Sequence, residues 1–252
     1  MKLLLFAVFV FGQSAFAQNA DTQKHIDDLE RELAASRRLL MDWGGLVHYG
    51  SDNSELKKPA PGVKRVVFLG DDVTEHWGEV AGAEGAPKFF PGKPYLNRGI
   101  SRQTTGQMLI RFRQDVIDLS PAVVVIQGGS NDIARHAGPA SEETIADNFQ
   151  TMAELAKAHG IKVVFASVLP VCDCAGHTVV VFRPPGRIIG LNGWMKGYAA
   201  KNGIPYINYY QALAEGRAMK AAYSADGFVP NEAGYAVMGP LAEAAIAEAL
   251  GK

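Results

Sequence analysis

The chain has almost no cysteine. Cys172 and Cys174 are its only two among 252 residues, so no disulfide framework holds it together and stability must come from an apolar core. One intervening residue makes a bridge between them strained, and free or intermolecular thiols are the expectation. A metal site there would need more ligands than His177 supplies. Charge of one sign is lacking too. Lys and Arg total 25 against 26 Asp and Glu, a formal net charge of −1 that gives no general reason to expect nucleic acid or an anionic membrane as partner. No internal repeat of fixed period is present, which sets solenoids aside. Gly (27) and Pro (13) punctuate many short elements but fall well short of a low-complexity composition. What is present is 48% hydrophobic residues, enough to bury one sizeable core, and one large α/β domain is the default.

The N-terminus reads as an export signal over residues 1–17. Lys2 supplies the positive start, Leu3 to Phe11 a short apolar core, and Ala15-Phe16-Ala17 a small-x-small cleavage site before Gln18. The apolar run is too short for a membrane span, which takes roughly 20 residues. No Cys follows the cleavage site, so a lipid anchor on a new N-terminal Cys is not expected. The implied location is secreted or periplasmic. Residues 18–62 read as a helical extension and linker. Ile26, Leu29, Leu33 and Leu40 recur at helical spacing after a possible cap at Asp21, predicting a helix over about 22–42. Lys57 to Gly62, rich in Pro and Lys, separates it from a domain over 63–252.

From Lys64 onward apolar runs alternate with amphipathic stretches. Strands are expected at 65–69, 95–97, 123–127, 163–168 and 206–208, and helices near 104–118, 143–159, 188–202 and 231–250. Uninterrupted runs such as Val123-Val124-Val125-Ile126 suit a parallel sheet covered on both faces. The order implies right-handed crossovers and a three-layer α/β/α sandwich around about five parallel strands, of flavodoxin-like type. Ligands of such folds bind at the carboxyl ends of the strands, where every motif below falls.

Gly70-Asp71-Asp72-Val73-Thr74 follows the first strand and opens a helix. It resembles the first motif of the SGNH (GDSL) hydrolase family, Gly-Asp-Ser-x-Thr with aliphatic x, in every position except the serine. Asn97-Arg98-Gly99-Ile100-Ser101 resembles the second motif, and Gly128-Gly129-Ser130-Asn131-Asp132 the third. Asp226-Gly227-Phe228-Val229-Pro230-Asn231 resembles the last, with Val229 where the histidine belongs. Phe89 to Pro94 and Pro230 to Tyr235 are similar to secreted, acetylhydrolase-like members of that family. The resemblance implies an esterase ancestry, a small ester or acylated carbohydrate as ligand, and no cofactor. It also implies roles: Asp72 at the nucleophile position, Asp226 as the triad acid, Val229 at the base position, and the Gly99 N–H with the Asn131 amide as oxyanion donors.

Acyl transfer needs a nucleophile that yields its proton to a base, plus donors aimed where negative charge develops. The donors and the acid remain; the hydroxyl and the imidazole do not. A carboxylate attacking an ester would form an anhydride while expelling a poorer leaving group, an uphill step. The sequence therefore predicts a family member deficient in serine-dependent hydrolysis. Its alternatives are a ligand-binding pseudoenzyme and a hydrolase using an Asp72/Asp226 carboxylate pair. Arg102 stands where relatives carry Gly, and Arg135-His136 where Gly-Asn is more familiar, so Arg102, Arg135 and His136 are candidate charge partners of Asp72. His76, four residues beyond Asp72, is a further candidate base. Asp71 and Asp132 are expected to fix turns, Ser101 and Ser130 are loop hydroxyls with no histidine assigned to them, and no metal cluster is expected from Asp71, Asp72, Glu75 and His76.

Overall fold

Val66-Val67-Phe68-Leu69 and Val123-Val124-Val125-Ile126 are apolar at consecutive positions because both of their faces are covered. In the computed structural model, residues 22–34, 37, 40–78, 89–174, 176 and 178–251 are described. The expected signal and the Asp21 cap lie outside them. The chain divides into two compact units, Met1–Trp43 and Gly44–Lys252. The first carries helix α1 (residues 22–34), with residues 37, 40 and 41 also helical. Its polar face is laced by an Arg31–Asp28 ion pair at 2.7 Å.

The second unit begins with α2 (Gly50–Glu55), β1 (Val66–Gly70), α3 (Asp72–Glu75) and β2 (Tyr95–Gly99). It continues with α4 (Thr105–Ile110), α5 (Phe112–Asp115), β3 (Val123–Ile126), α6 (Ser130–Ile133), α7 (Glu142–Ala158) and β4 (Lys162–Ala166). The rest is α8 (Pro185–Asn202), β5 (Tyr206–Ile207), α9 (Tyr209–Leu213), the hairpin β6 (Ala214–Glu215) and β7 (Ala218–Met219), and α10 (Glu232–Ala249). The five main strands pair in the order β2-β1-β3-β4-β5. All are parallel, as βαβ crossovers require. Alternate residues feed two cores. Val67, Leu69, Val124, Ile126 and Phe165 meet α4, α5, α7 and α8 on one face. Phe68, Val123, Val125, Val164 and Ile207 meet α3, α9 and α10 on the other. Each such side chain, fully buried, stabilises the fold by about 1.5–3 kcal/mol.

Local chemistry sets the ends. Ser141 caps α7 by accepting the Thr144 N–H at 3.0 Å, and Asn231 caps α10 by accepting that of Gly234 at 3.1 Å. The helix expected over 104–118 is broken at Arg111 into α4 and α5, followed by a 3₁₀ turn at Ile117–Leu119. The cause is a buried guanidinium. Arg111 donates to Gln103 Oε1 (2.6 Å), Arg98 O (2.8 Å), Gly70 O (2.9 Å) and Asp115 Oδ2 (3.0 Å). Residues 44–62, grouped with the extension on sequence, belong to the second unit. The Tyr49 hydroxyl donates to Gly99 O at 2.5 Å, and Asn53 joins Arg98 and Asp115.

Cys172 and Cys174 are joined in a disulfide, which corrects the expectation of free thiols. The chain there is extended enough to hold the two Cα atoms 5.3 Å apart, within the range a bridge needs. The same stretch braces the last motif, because the Cys172 N–H donates to Gly227 O at 2.9 Å.

Candidate active site

The turn after β1 places two carboxyl groups side by side. Asp71 caps α3, its Oδ1 accepting the Val73 N–H at 3.2 Å, while its Oδ2 is buried and unpartnered. Burial, with Asp72 beside it, pushes the Asp71 carboxyl well above the usual carboxylate range. Asp72 opens α3 and is only half-buried. Its Oδ2 accepts the Asn131 Nδ2 at 2.7 Å and the Arg102 backbone N–H at 2.8 Å. A carboxylate oxygen thus occupies the point where two donors converge.

The Asn131 amide is oriented by a residue that the motifs did not disclose. Arg183, buried in the loop before α8, donates to Asn131 Oδ1 and to Ser130 Oγ, each at 3.0 Å. Its guanidinium lies 4.0 Å over the Phe228 ring. An arginine only donates, so the amide oxygen must face Arg183 and the NH₂ must face Asp72. One signal was available in sequence: Arg183 is the lone charge after the apolar run Val179 to Phe182. Asp132, next to Asn131, accepts both the N–H (2.9 Å) and the hydroxyl (2.6 Å) of Thr105, tying α6 to α4.

Gly99 is not an oxyanion donor. Its N–H is turned to Asn97 Oδ1 at 2.9 Å. A Cβ at Gly99 would strike the backbone of Thr74 and Glu75, so glycine is needed there to let α3 sit against the end of β2. The N–H that reaches the site comes three residues later, from Arg102, whose φ of +67° is the left-handed conformation that glycine adopts freely. Arg102 therefore acts through its backbone. Among the described residues no ion pair within 4 Å joins Asp72 to Arg102, Arg135 or His136, though the Asp72 charge acts on the His136 imidazole. Arg135 and His136 lie exposed beyond α6. Desolvation, then the charges of Arg183 and Arg102, hold the His136 imidazole below its ordinary value.

Asp226 is turned onto its own loop, its Oδ1 accepting the N–H groups of Phe228 and Val229, both at 2.8 Å. Asp226, Val229, His76 and Tyr235 line one cavity of about 300 Å³. The structure thus brings together Asp72 with Asn131 and Arg102, and His76 with Asp226 and Val229. Arg183 feels the charges of both Asp72 and Asp226. His76 Nε2 also lies 3.2 Å from Ser101 Oγ, a pairing across 25 positions that no local pattern announces. No cluster of three or more His, Cys, Asp or Glu side chains suited to a metal occurs among the described residues. No helix among them is long and apolar enough to cross a membrane.

A family model described as GDSL-like lipase/acylhydrolase matches residues 68–237. A crystal structure of a proposed acylhydrolase from Bacteroides fragilis is 41% identical with a TM-score of 0.76, covering 83% of this chain and 99% of that one. A GDSL-like lipase from Bacteroides thetaiotaomicron is 40% identical with a TM-score of 0.74, covering 82% of this chain and 100% of that one. The uncharacterized lipoprotein YqeF of Bacillus subtilis is 30% identical over 115 residues, 41% of this chain and 46% of that protein. The match thus spans about half the length of that curated relative.

Proposed function

Because the chain belongs to the GDSL-like lipase/acylhydrolase family, we propose that it keeps the family's cleft for a small ester or acylated carbohydrate but does not hydrolyse it through position 72. One observation carries this reading: Asp72 Oδ2 sits on the Asn131 Nδ2 and the Arg102 N–H, donors that an acyl-transfer site reserves for the transient oxyanion. Charge-assisted bonds of this kind contribute about 1.5–3 kcal/mol each. A substrate oxyanion would have to displace a charge already bound there. Val229 supplies no proton acceptor in place of the histidine. The carboxylate-pair reading is less favoured, because the bonds described for Asp72 go to Asn131 and Arg102 and those of Asp226 stay within its own loop, so none of them joins the two carboxyl groups. Export is part of the proposal, resting on the N-terminal signal pattern and consistent with the description of the relative YqeF as a lipoprotein.

The test is hydrolysis of p-nitrophenyl acetate by the native chain and by Asp72→Ser/Val229→His. Losing the serine or histidine of a serine hydrolase lowers kcat by about 10⁶-fold. The double variant should therefore exceed the native chain by at least about 10²-fold. A native chain with rapid turnover that Asp72→Asn abolishes would establish the carboxylate pair instead.

A further inference from the structure

On sequence His76 is a candidate base four residues beyond Asp72 and Ser101 a loop hydroxyl with no histidine assigned to it; the fold joins them. Ser101 Oγ lies 3.2 Å from His76 Nε2, within the reach a general base needs. Glu75 places the serine, its Oε2 accepting the Ser101 N–H at 2.7 Å. Glu75 is itself steadied by His48, whose Nε2 lies 3.4 Å from Oε1. His76 is exposed and borders the cavity that Asp226 and Val229 line, and Ser101 is half-buried beside it, so the pair faces outward and not into the core. Ser101 directly precedes Arg102, whose N–H is held by Asp72.

We propose that Ser101 and His76 form a second nucleophile–base pair at the cleft rim, which accepts the acyl group of small activated esters. This goes beyond the reading above, which concerns positions 72 and 229. With Nε2 unprotonated, the Ser101 hydroxyl donates to it. Ser101 Oγ then attacks the ester carbonyl carbon while its proton passes to His76 Nε2. Collapse breaks the bond to the leaving oxygen, which departs as the phenol with the proton from His76, or as the phenolate with His76 releasing that proton to solvent. Acetyl-Ser101 remains. Water attacks the acyl carbon with His76 again taking the proton, and acetate and the free hydroxyl are released. Because Asn131 and the Arg102 N–H are occupied by Asp72, the pair lacks their help. A single missing oxyanion donor lowers kcat by about 10²–10³-fold. The pair is therefore restricted to good leaving groups, and the acyl-serine persists.

Incubating the whole native chain with p-nitrophenyl acetate, followed by intact and peptide mass measurement, tests this. The expected result is one acetyl group mapped to Ser101, absent in Ser101→Ala. His76→Gln should slow its formation by about 10²-fold. Added imidazole should restore part of the rate in His76→Ala, which a merely structural role for His76 would not produce. Thermal midpoints matching the native chain would show that the variants fold. The proposal is overturned if the native chain takes up no acetyl group, if the group maps elsewhere, or if Ser101 acetylates equally fast without His76. Activity that survives Ser101→Ala and is lost in Asp72→Asn would count against the reading of position 72, which keeps the two failures distinct.

Discussion

Residue 102 shows what a backbone contact can cost where the residue is not glycine. Its N–H reaches the site, but a side chain in the left-handed region is strained by about 1–2 kcal/mol, a penalty glycine does not carry. Arg102→Gly is therefore expected to raise stability by up to about 1 kcal/mol in urea denaturation while keeping the bond to Asp72; a clear loss of stability would mean that the Arg102 side chain is itself needed. Asp71 gives a pH signature. Its folded carboxyl is held above the ordinary value, chiefly by burial and then by Asp72. The unfolded chain releases this proton near pH 3.9, whereas the folded chain retains it to higher pH. The stability tied to the protonated form is thus fully present below about pH 3.9 and is lost as pH rises toward the folded value. Asp71→Asn keeps the cap oxygen and removes the titration. Its stability relative to the native chain should increase between about pH 4 and neutrality, and parallel pH curves for the two proteins would refute this.

The elements that could be read from sequence are those whose pattern reports burial directly. β1 and β3 are unbroken Val, Ile, Leu and Phe because the sheet is covered on both faces, and α7 follows an apolar period after a serine cap. The break between α4 and α5 was hidden, because an Arg between two helical stretches looks like a solvated charge. Only the fold shows Arg111 with no exposure, tied to the ends of β1 and β2 and to Asp115. The hairpin β6–β7 is two residues per strand, too short to carry a period. Asn131 could be assigned from its motif, but Arg183 and the Ser101–His76 pair depend on contacts across 52 and 25 positions. The N–H that meets Asp72 comes from Arg102 and not from Gly99, because sequence shows a glycine but not which way its N–H points. Arg111 supplies the test at this scale. Arg111→Met leaves Asp115 buried without its cation and should cost about 3–5 kcal/mol. Arg111→Met/Asp115→Leu should recover a large part of that in chemical denaturation, and an equal or greater loss would show that the bonds to Gly70 O and Arg98 O matter more than the ion pair.

At the scale of the molecule, the strand ends are held in place by chain that lies outside the α/β repeat. The family match begins at residue 68, yet the second compact unit begins at Gly44. Between them, Gly44 O accepts the Gln103 amide at 3.0 Å, on the loop that carries Arg102. Tyr49 is bonded to Gly99 O and stacks on the Arg98 guanidinium at 4.5 Å. Asn53 donates to Asp115 Oδ1 at 2.6 Å and accepts from Arg98 Nε at 3.0 Å, which joins it to the network that holds Arg111. Cutting the chain at 63 would remove the Asn53 bonds to Arg98 and Asp115, both buried, leaving Arg98 with Asn97 O and Asp115 with Arg111. Hydrogen bonds to charged groups are worth about 1.5–3 kcal/mol each, so a chain of residues 63–252 should be less stable than one of residues 44–252 by at least about 3 kcal/mol. The loop from Gly99 to Gln103 should loosen first, seen as faster amide exchange at Arg102. Equal stability for the two chains would place the support of that loop within the sheet and its helices alone, and residues 44–62 would then be covering rather than bracing the site.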